Sequence, residues 1–286
     1  MKIIQSYSKF EEGSPYIINE QNKSILKFYS FLLSYITLKQ HCGKVTMYCN
    51  NDAYESLIKY IPYDDVVIME NTNSFQYWNL YKLDVMRKID GKFLHIDSDI
   101  FIFNEDFMNQ FKGKWDVVVQ NISSSYLNPV EDFTINHRNY IQNKLKLNII
   151  EGDNKSTCCG VFGYSDRFKE HYYRCVDTLY NDLINGNITN IISPNIVVEE
   201  LMVYLVASAL KYKIIEILPH DLIEKYGINE VGNIKKYTHL WLSSKYEKEN
   251  VILIKNKIKG DYPQYYKYID IYENTYGKSL HFLNDK

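Results

Sequence analysis

The sequence predicts an α/β fold with a mainly parallel, Rossmann-like sheet flanked by helices. Three observations carry this expectation. Short runs rich in Val, Ile and Phe alternate along the chain with longer segments of helical period. No internal repeat, low-complexity stretch or linker rich in Pro, Gly or Ser interrupts the alternation. The third is the run FLHIDSDIFIF over 93–103, where two aspartates interrupt an apolar strand.

The elements follow in order. KIIQSY (2–7) reads as the first strand, and a helix is expected from Ser24, as its cap, to Gln40. KVTMYC (44–49) is a strand, followed by a helix over 51–60 begun by Asn51 or Asp52, and DVVIM (65–69) is a third strand. A helix over 77–89 puts Leu80, Leu83, Val85 and Met86 on one broad face, and Asp90-Gly91 turns the chain into the strand at 93. DVVVQ (116–120), GVFGY (160–164) and KIIEIL (213–218) are further strands, with helices at about 166–185 and 198–211. The stretch 121–157 is the least patterned and is expected to hold a mobile loop.

The two aspartates set the chemistry. An isolated carboxylate in a buried strand costs several kcal/mol, and two nearby cost more unless a cation meets them. In an extended chain, residues i and i+2 share a face, so Asp97 and Asp99 point one way and Ser98 the other. That spacing makes a claw for a divalent metal at a strand end, the usual ligand position in an open α/β sheet. Its plain alternative is a solvated turn, against which stand the apolar flanks FLHI and IFIF. His95 shares the strand face, as a further ligand or as a hydrogen-bonded neighbour.

Composition narrows the classes. A chain of 286 residues, 45% hydrophobic and 24% charged, suits one large globular domain or two small ones, and is read here as one domain spanning 1–286. A formal charge of −2 offers no electrostatic case for nucleic acid. The 27 tyrosines are scattered, which fits biased composition or a sugar-binding surface. Five cysteines, with Cys158 and Cys159 adjacent and no CxxC, make neither a disulfide framework nor a zinc site, and point to a reduced cytoplasm. The opening MKIIQSYSKFEEGSPY turns polar and acidic too soon for a signal peptide. The most apolar helical run, Phe28 to Leu38, falls far short of the roughly 20 residues that span a bilayer.

With the elements placed, the chain resembles the GT-A class of nucleotide-sugar glycosyltransferases, of the glycogenin and bacterial galactosyltransferase type. YKLDVMRKIDGKFLHIDSD is similar to the helix, basic residue and DxD strand of that class, and CCGVFG to its small-residue strand beside the sugar. Glu199-Glu200 stands where retaining members carry an acidic segment, and HLWLSSK (239–245) resembles a C-terminal HxxGxxK motif, with Leu242 in place of the glycine. The likeness spans about residues 1–245.

The resemblance implies a GT-A-like single domain, with a nucleotide-sugar-binding half at 1–103 and an acceptor half at 104–286 that ends in a closing segment. It implies a metal-dependent transfer from a nucleoside diphosphate sugar, a UDP-sugar above all, to a saccharide or glycolipid acceptor. Mn²⁺, or Mg²⁺ in its place, suits the donor set of Asp97, Asp99 and His239. Lys245 sits on the diphosphate as a point charge, or is simply solvated. Lys82 faces the donor or is an exposed helix lysine. Tyr7 stacks on the base or packs at the strand end, with Ser6 and Ser98 beside the donor. One of Glu199 and Glu200, with Glu200 favoured, is the catalytic carboxylate, as base on the acceptor or as stabiliser of an oxocarbenium-like centre; the alternative is a carboxylate complementing a helix N-terminus. Two other readings are a haloacid-dehalogenase-type phosphatase using the DxD aspartates and a non-catalytic sugar-binding protein on a transferase fold. The partners expected are therefore small molecules and saccharides. No transmembrane segment is expected; peripheral contact with a membrane fits a glycolipid acceptor.

Overall fold

The computed structural model describes residues 1–9, 20–70, 79–123, 128–149, 155–240, 244 and 247–276. The described strands are β1 (Lys2–Tyr7), β2 (Val45–Cys49), β3 (Asp65–Ile68), β4 (Phe93–Ile96), β5 (Ile100–Ile102), β6 (Val117–Ser123), β7 (Ser156–Tyr164), β8 (Ile214–Glu216) and β9 (Tyr237–His239). β1 pairs parallel with β2, β2 with β3 and β6 with β8, whereas β6–β7 is antiparallel. With helices between the strands, this is the mixed, mostly parallel α/β fold that the alternating pattern predicts.

The chain divides into two compact units, named here for their place in the sequence. The terminal unit is Lys2–Gln76, Ile96–Gln110 and Lys235–Lys286; the middle unit is Tyr77–His95 and Phe111–Ile234, with Met1.

In the terminal unit, β1 buries Ile3 and Ile4, and β2 alternates with Val45, Met47 and Cys49 inside. The helix Glu20–His41 supplies Phe28, Leu32, Leu33 and Ile36 to the same core. Ser24 lies inside that helix, four residues after its start, so it is no cap. The helix after β2, Asn51–Ser56, is capped by Asn50 and ends sooner than expected because a 3₁₀ turn, Ile58–Tyr60, takes over the rest. The last helices, Lys248–Asp261 and Tyr266–Tyr276, lie beyond the family likeness and pack here too. Tyr272 stacks on Phe28 at 3.9 Å, and Glu273 accepts from both Tyr29 and Lys255. Many tyrosines are thus core residues meeting edge to face, such as Tyr35–Tyr63 and Tyr60–Tyr272.

In the middle unit, β7 is buried along its whole length. Gly163 in it is required by close approach: a Cβ there would stand 2.5 Å from the Phe93 carbonyl oxygen and 2.7 Å from Leu94 Cδ2. The helix Asp166–Ile184 is capped by Ser165, whose hydroxyl accepts from the Phe168 N–H. The helix before β4 is described over Asn79–Arg87, and the stretch 121–157 contains the helices Asn128–Asn136 and Arg138–Asn143. A helical run from Pro194 to Ala209 replaces the expected 198–211, since Pro194 opens it at the first turn. Its second turn, Val197–Leu201, is π-helical.

Candidate functional site

The DSD segment corrects one expectation. The apolar run over 93–103 is two strands, β4 and β5, broken at the aspartates. The Ile100 N–H closes back on the Asp97 carbonyl at 3.1 Å, so 97–99 is a turn and the rule that i and i+2 share a face does not apply across it. β5 then pairs antiparallel with β9, with Ile100 opposite His239.

That pairing assembles the terminal unit's site. The Leu240 N–H donates to the Asp99 carbonyl at 3.0 Å, which fixes the backbone on either side. His239 Nε2 stands 3.5 Å from Asp99 Oδ1, with the two side chains 10% and 9% exposed. The Ser98 carbonyl accepts from Ser30 Oγ, and the Asp97 carbonyl lies 3.5 Å from Gln5 Nε2. Gln5 is itself anchored by Ser34 and Tyr63. Tyr7, half-buried at the end of β1, has Lys27 Nζ 3.3 Å from its hydroxyl and the edge of Phe31 against its ring. At the same end of the parallel strands, the Asn50 side chain accepts from the Lys9 N–H and donates to the Lys9 carbonyl, tying the chain after β1 to the end of β2. The helix expected from the sequence starts at Asn51 or Asp52 and passes over Asn50, although an asparagine directly after an apolar strand is itself a turn and cap signal.

Asp99 and His239 are therefore brought together as two candidate ligands. Among the described residues, no group of three His, Cys, Asp or Glu side chains is arranged to hold a metal ion. Asp97 contributes through its backbone and a half-buried side chain. Lys245 lies outside the described residues, as do Trp241 and Leu242 of the same motif.

The middle unit holds the other charged cluster. Lys82 is buried, not an exposed helix lysine: its Nζ reaches Glu199 Oε1 at 2.7 Å and donates to the Cys159 carbonyl at 2.7 Å. Glu199 and Glu200 point differently, as helical neighbours should. Glu199 is buried on Lys82, whereas Glu200 is half-buried and its carbonyl accepts from Thr157 Oγ1 at 2.8 Å. Because the helical run starts at Pro194, the acidic pair sits in its second turn and not at an N-terminus. π turns often mark functional sites. Burial, and then the Glu199 charge, hold the Cys159 thiol well above its ordinary value, so it stays protonated. Burial, with the Lys82 ammonium second, keeps the His95 imidazole well below 6.5 and hence neutral. The Lys82–Glu199 pair joins residues far apart in sequence, and nothing local announces it.

A family model described as "Family of unknown function (DUF6734)" matches residues 1–271. No curated protein matches the sequence. Among solved structures, the inositol-1-phosphate CTP transferase from T. maritima aligns with a TM-score of 0.47 at 11% identity, over 91% of this chain and 96% of that one. The 4-diphosphocytidyl-2C-methyl-D-erythritol synthase from Anaerococcus prevotii DSM 20548 aligns at 0.34 and 12% identity, over 75% of this chain and 88% of that one. Likeness at these scores carries no inference about activity. Among the described residues, no helix is long and apolar enough to cross a membrane.

Proposed function

We propose that the chain, which belongs to that DUF6734 family, is a metal-dependent glycosyltransferase. It moves a sugar from a nucleoside diphosphate donor, a UDP-sugar above all, to a saccharide or glycolipid acceptor. The observation that carries the reading is the Asp99–His239 pair, a carboxylate in the turn after β4 and an imidazole at the end of β9, 3.5 Å apart.

The donor types fit the metal. Carboxylate oxygen and imidazole nitrogen suit Mn²⁺, with Mg²⁺ as substitute, and they stand 3.5 Å apart. An octahedral ion with bonds of about 2.1 Å, whose neighbouring donors are about 3.0 Å apart, would draw them together by about half an ångström. A divalent ion held by Asp99 and His239 would act as a Lewis acid on the departing diphosphate.

The residues then take distinct roles. Asp99 and His239 would hold the ion, and Asp97 and Ser98 shape the turn through their anchored carbonyls. Tyr7 offers an aromatic ring to the base at the end of β1. Lys245, six residues after His239, meets the diphosphate with an ammonium. Glu200 is the working carboxylate, accepting a proton from the acceptor hydroxyl or stabilising an oxocarbenium-like centre. Lys82 and Glu199 are positioning residues that fix the π turn carrying it.

UDP release from a panel of UDP-sugars tests the reading. Release requires Mn²⁺ or Mg²⁺, stops with EDTA and is abolished in Asp99→Asn. Turnover that persists in EDTA, or wild-type rates in Asp99→Asn, contradicts it.

A further inference from the structure

The middle unit contains a cleft of about 790 Å³ that the transfer reading does not use. Its size falls within the range of small-molecule sites. Three stretches wall it: the end of the helix Asn128–Asn136, the helix Arg138–Asn143, and the chain at 187–192 beyond the helix Asp166–Ile184.

Two lining residues, Tyr140 and Asn187, are held by a polar network centred on Asp182. Asp182, 6% exposed, accepts the Tyr140 hydroxyl on Oδ2 at 2.9 Å and the Asn187 amide on Oδ1 at 3.0 Å. The Asn187 backbone N–H adds a bond to the Asp182 carbonyl at 2.8 Å. On the facing wall, the Asn136 amide donates to Asp132 one helical turn earlier, at 2.6 Å. Two of the lining amides and the tyrosine ring are thus held in one orientation before any ligand arrives.

The lining chemistry selects the ligand. Among the described residues it comprises three asparagines, an aspartate, a threonine, a tyrosine, a histidine and three isoleucines, with neither lysine nor arginine. Lys144 Nζ stands 3.8 Å from Asp182 and is not among the described lining residues. A phosphate or carboxylate would meet the Asp132 charge with no lining ammonium or guanidinium to offset it. A wholly apolar molecule would strip water from the amides and leave them unsatisfied. A sugar ring meets neither objection: its hydroxyls pair with amides that both donate and accept, and its apolar faces lie on tyrosine and isoleucine.

We propose that this cleft binds a neutral saccharide. The inference stands on the lining alone and is independent of the donor site in the terminal unit.

Saturation-transfer NMR on the full chain tests it, with glucose, galactose, N-acetylglucosamine, lactose and maltotriose as neutral probes and glucuronate as the anionic counterpart. At least one neutral probe receives saturation, and its binding survives EDTA. Asn136→Ala and Asn187→Ala each weaken it about tenfold, the scale of a lost hydrogen bond. Thr189→Trp, at an exposed position of the lining, blocks it without touching the Asp182 network. Melting curves establish that each variant is folded. The proposal is overturned if no neutral probe is saturated, if glucuronate alone binds, or if the signal is unchanged in Asn187→Ala and Thr189→Trp. A saccharide signal that persists while UDP fails to bind breaks the donor reading and leaves this one intact.

Discussion

Each unit contains a pair of oppositely charged or chargeable side chains at similar burial, and the two pairs are built differently. Lys82 and Glu199 meet at 2.7 Å, and the same ammonium also donates to the Cys159 carbonyl at 2.7 Å. Asp99 and His239 stand 3.5 Å apart, beyond the range of a good hydrogen bond, although the backbone around them is pinned by the β5–β9 pairing. The first pair is closed on itself and lies under the fully buried Tyr172 and beside Cys159. The second joins a turn residue, Asp99, to the end of β9, His239, at 3.5 Å. Equal burial therefore does not mean equal purpose. A closed pair constrains the fold, whereas the wider pair is the one proposed for the metal.

The contrast breaks most visibly in stability. Lys82→Met strands the Glu199 carboxylate in the core and costs about 3–5 kcal/mol, read from the urea midpoint. Asp99→Asn shifts the same midpoint by less than about 1 kcal/mol, within the usual range of a substitution that strands no charge. If Asp99→Asn unfolds the protein as readily as Lys82→Met, the open pair is structural after all.

The next effect is on turnover. Glu200→Gln lowers the transfer rate about a hundredfold, the contribution of a positioned acid–base group, with melting temperature and UDP affinity unchanged. Glu199→Gln loses stability as well, because it leaves the Lys82 ammonium without its counter-charge. A Glu200→Gln protein with wild-type turnover places the working carboxylate elsewhere. The smallest effect sharpens the second pair alone. His239→Ala raises the Mn²⁺ concentration for half-maximal activity about tenfold or more, on the scale of other changes at metal sites. An unchanged metal requirement removes the imidazole from the site.

Much of the fold was legible because its signals are local. β1, β2 and β3 follow short runs of β-branched and apolar residues, and the helix Asp166–Ile184 follows a Ser cap and an amphipathic period. Boundaries failed where a local alternative won: Asn50 took the cap from Asn51, and Pro194 started a helix four residues before Val198. The run 93–103 looked like one strand because hydrophobicity cannot register the turn that the Ile100 N–H makes onto Asp97. The candidate site divides the same way. Asp97 and Asp99 stand out against apolar flanks, and His239 emerged only through a motif likeness, since its pairing with Ile100 is a long-range event. The Lys82–Glu199 pair and the Asp182 network beneath the cleft depend on contacts between distant segments, which no window of sequence contains.

The central claim is that the open pair holds a metal for a nucleoside diphosphate, and titration calorimetry of UDP into the full chain tests it most directly. Binding appears with Mn²⁺ and disappears with EDTA, and Asp99→Asn loses the Mn²⁺-dependent part while remaining folded. Equal UDP affinity with Mn²⁺ and with EDTA would contradict the claim.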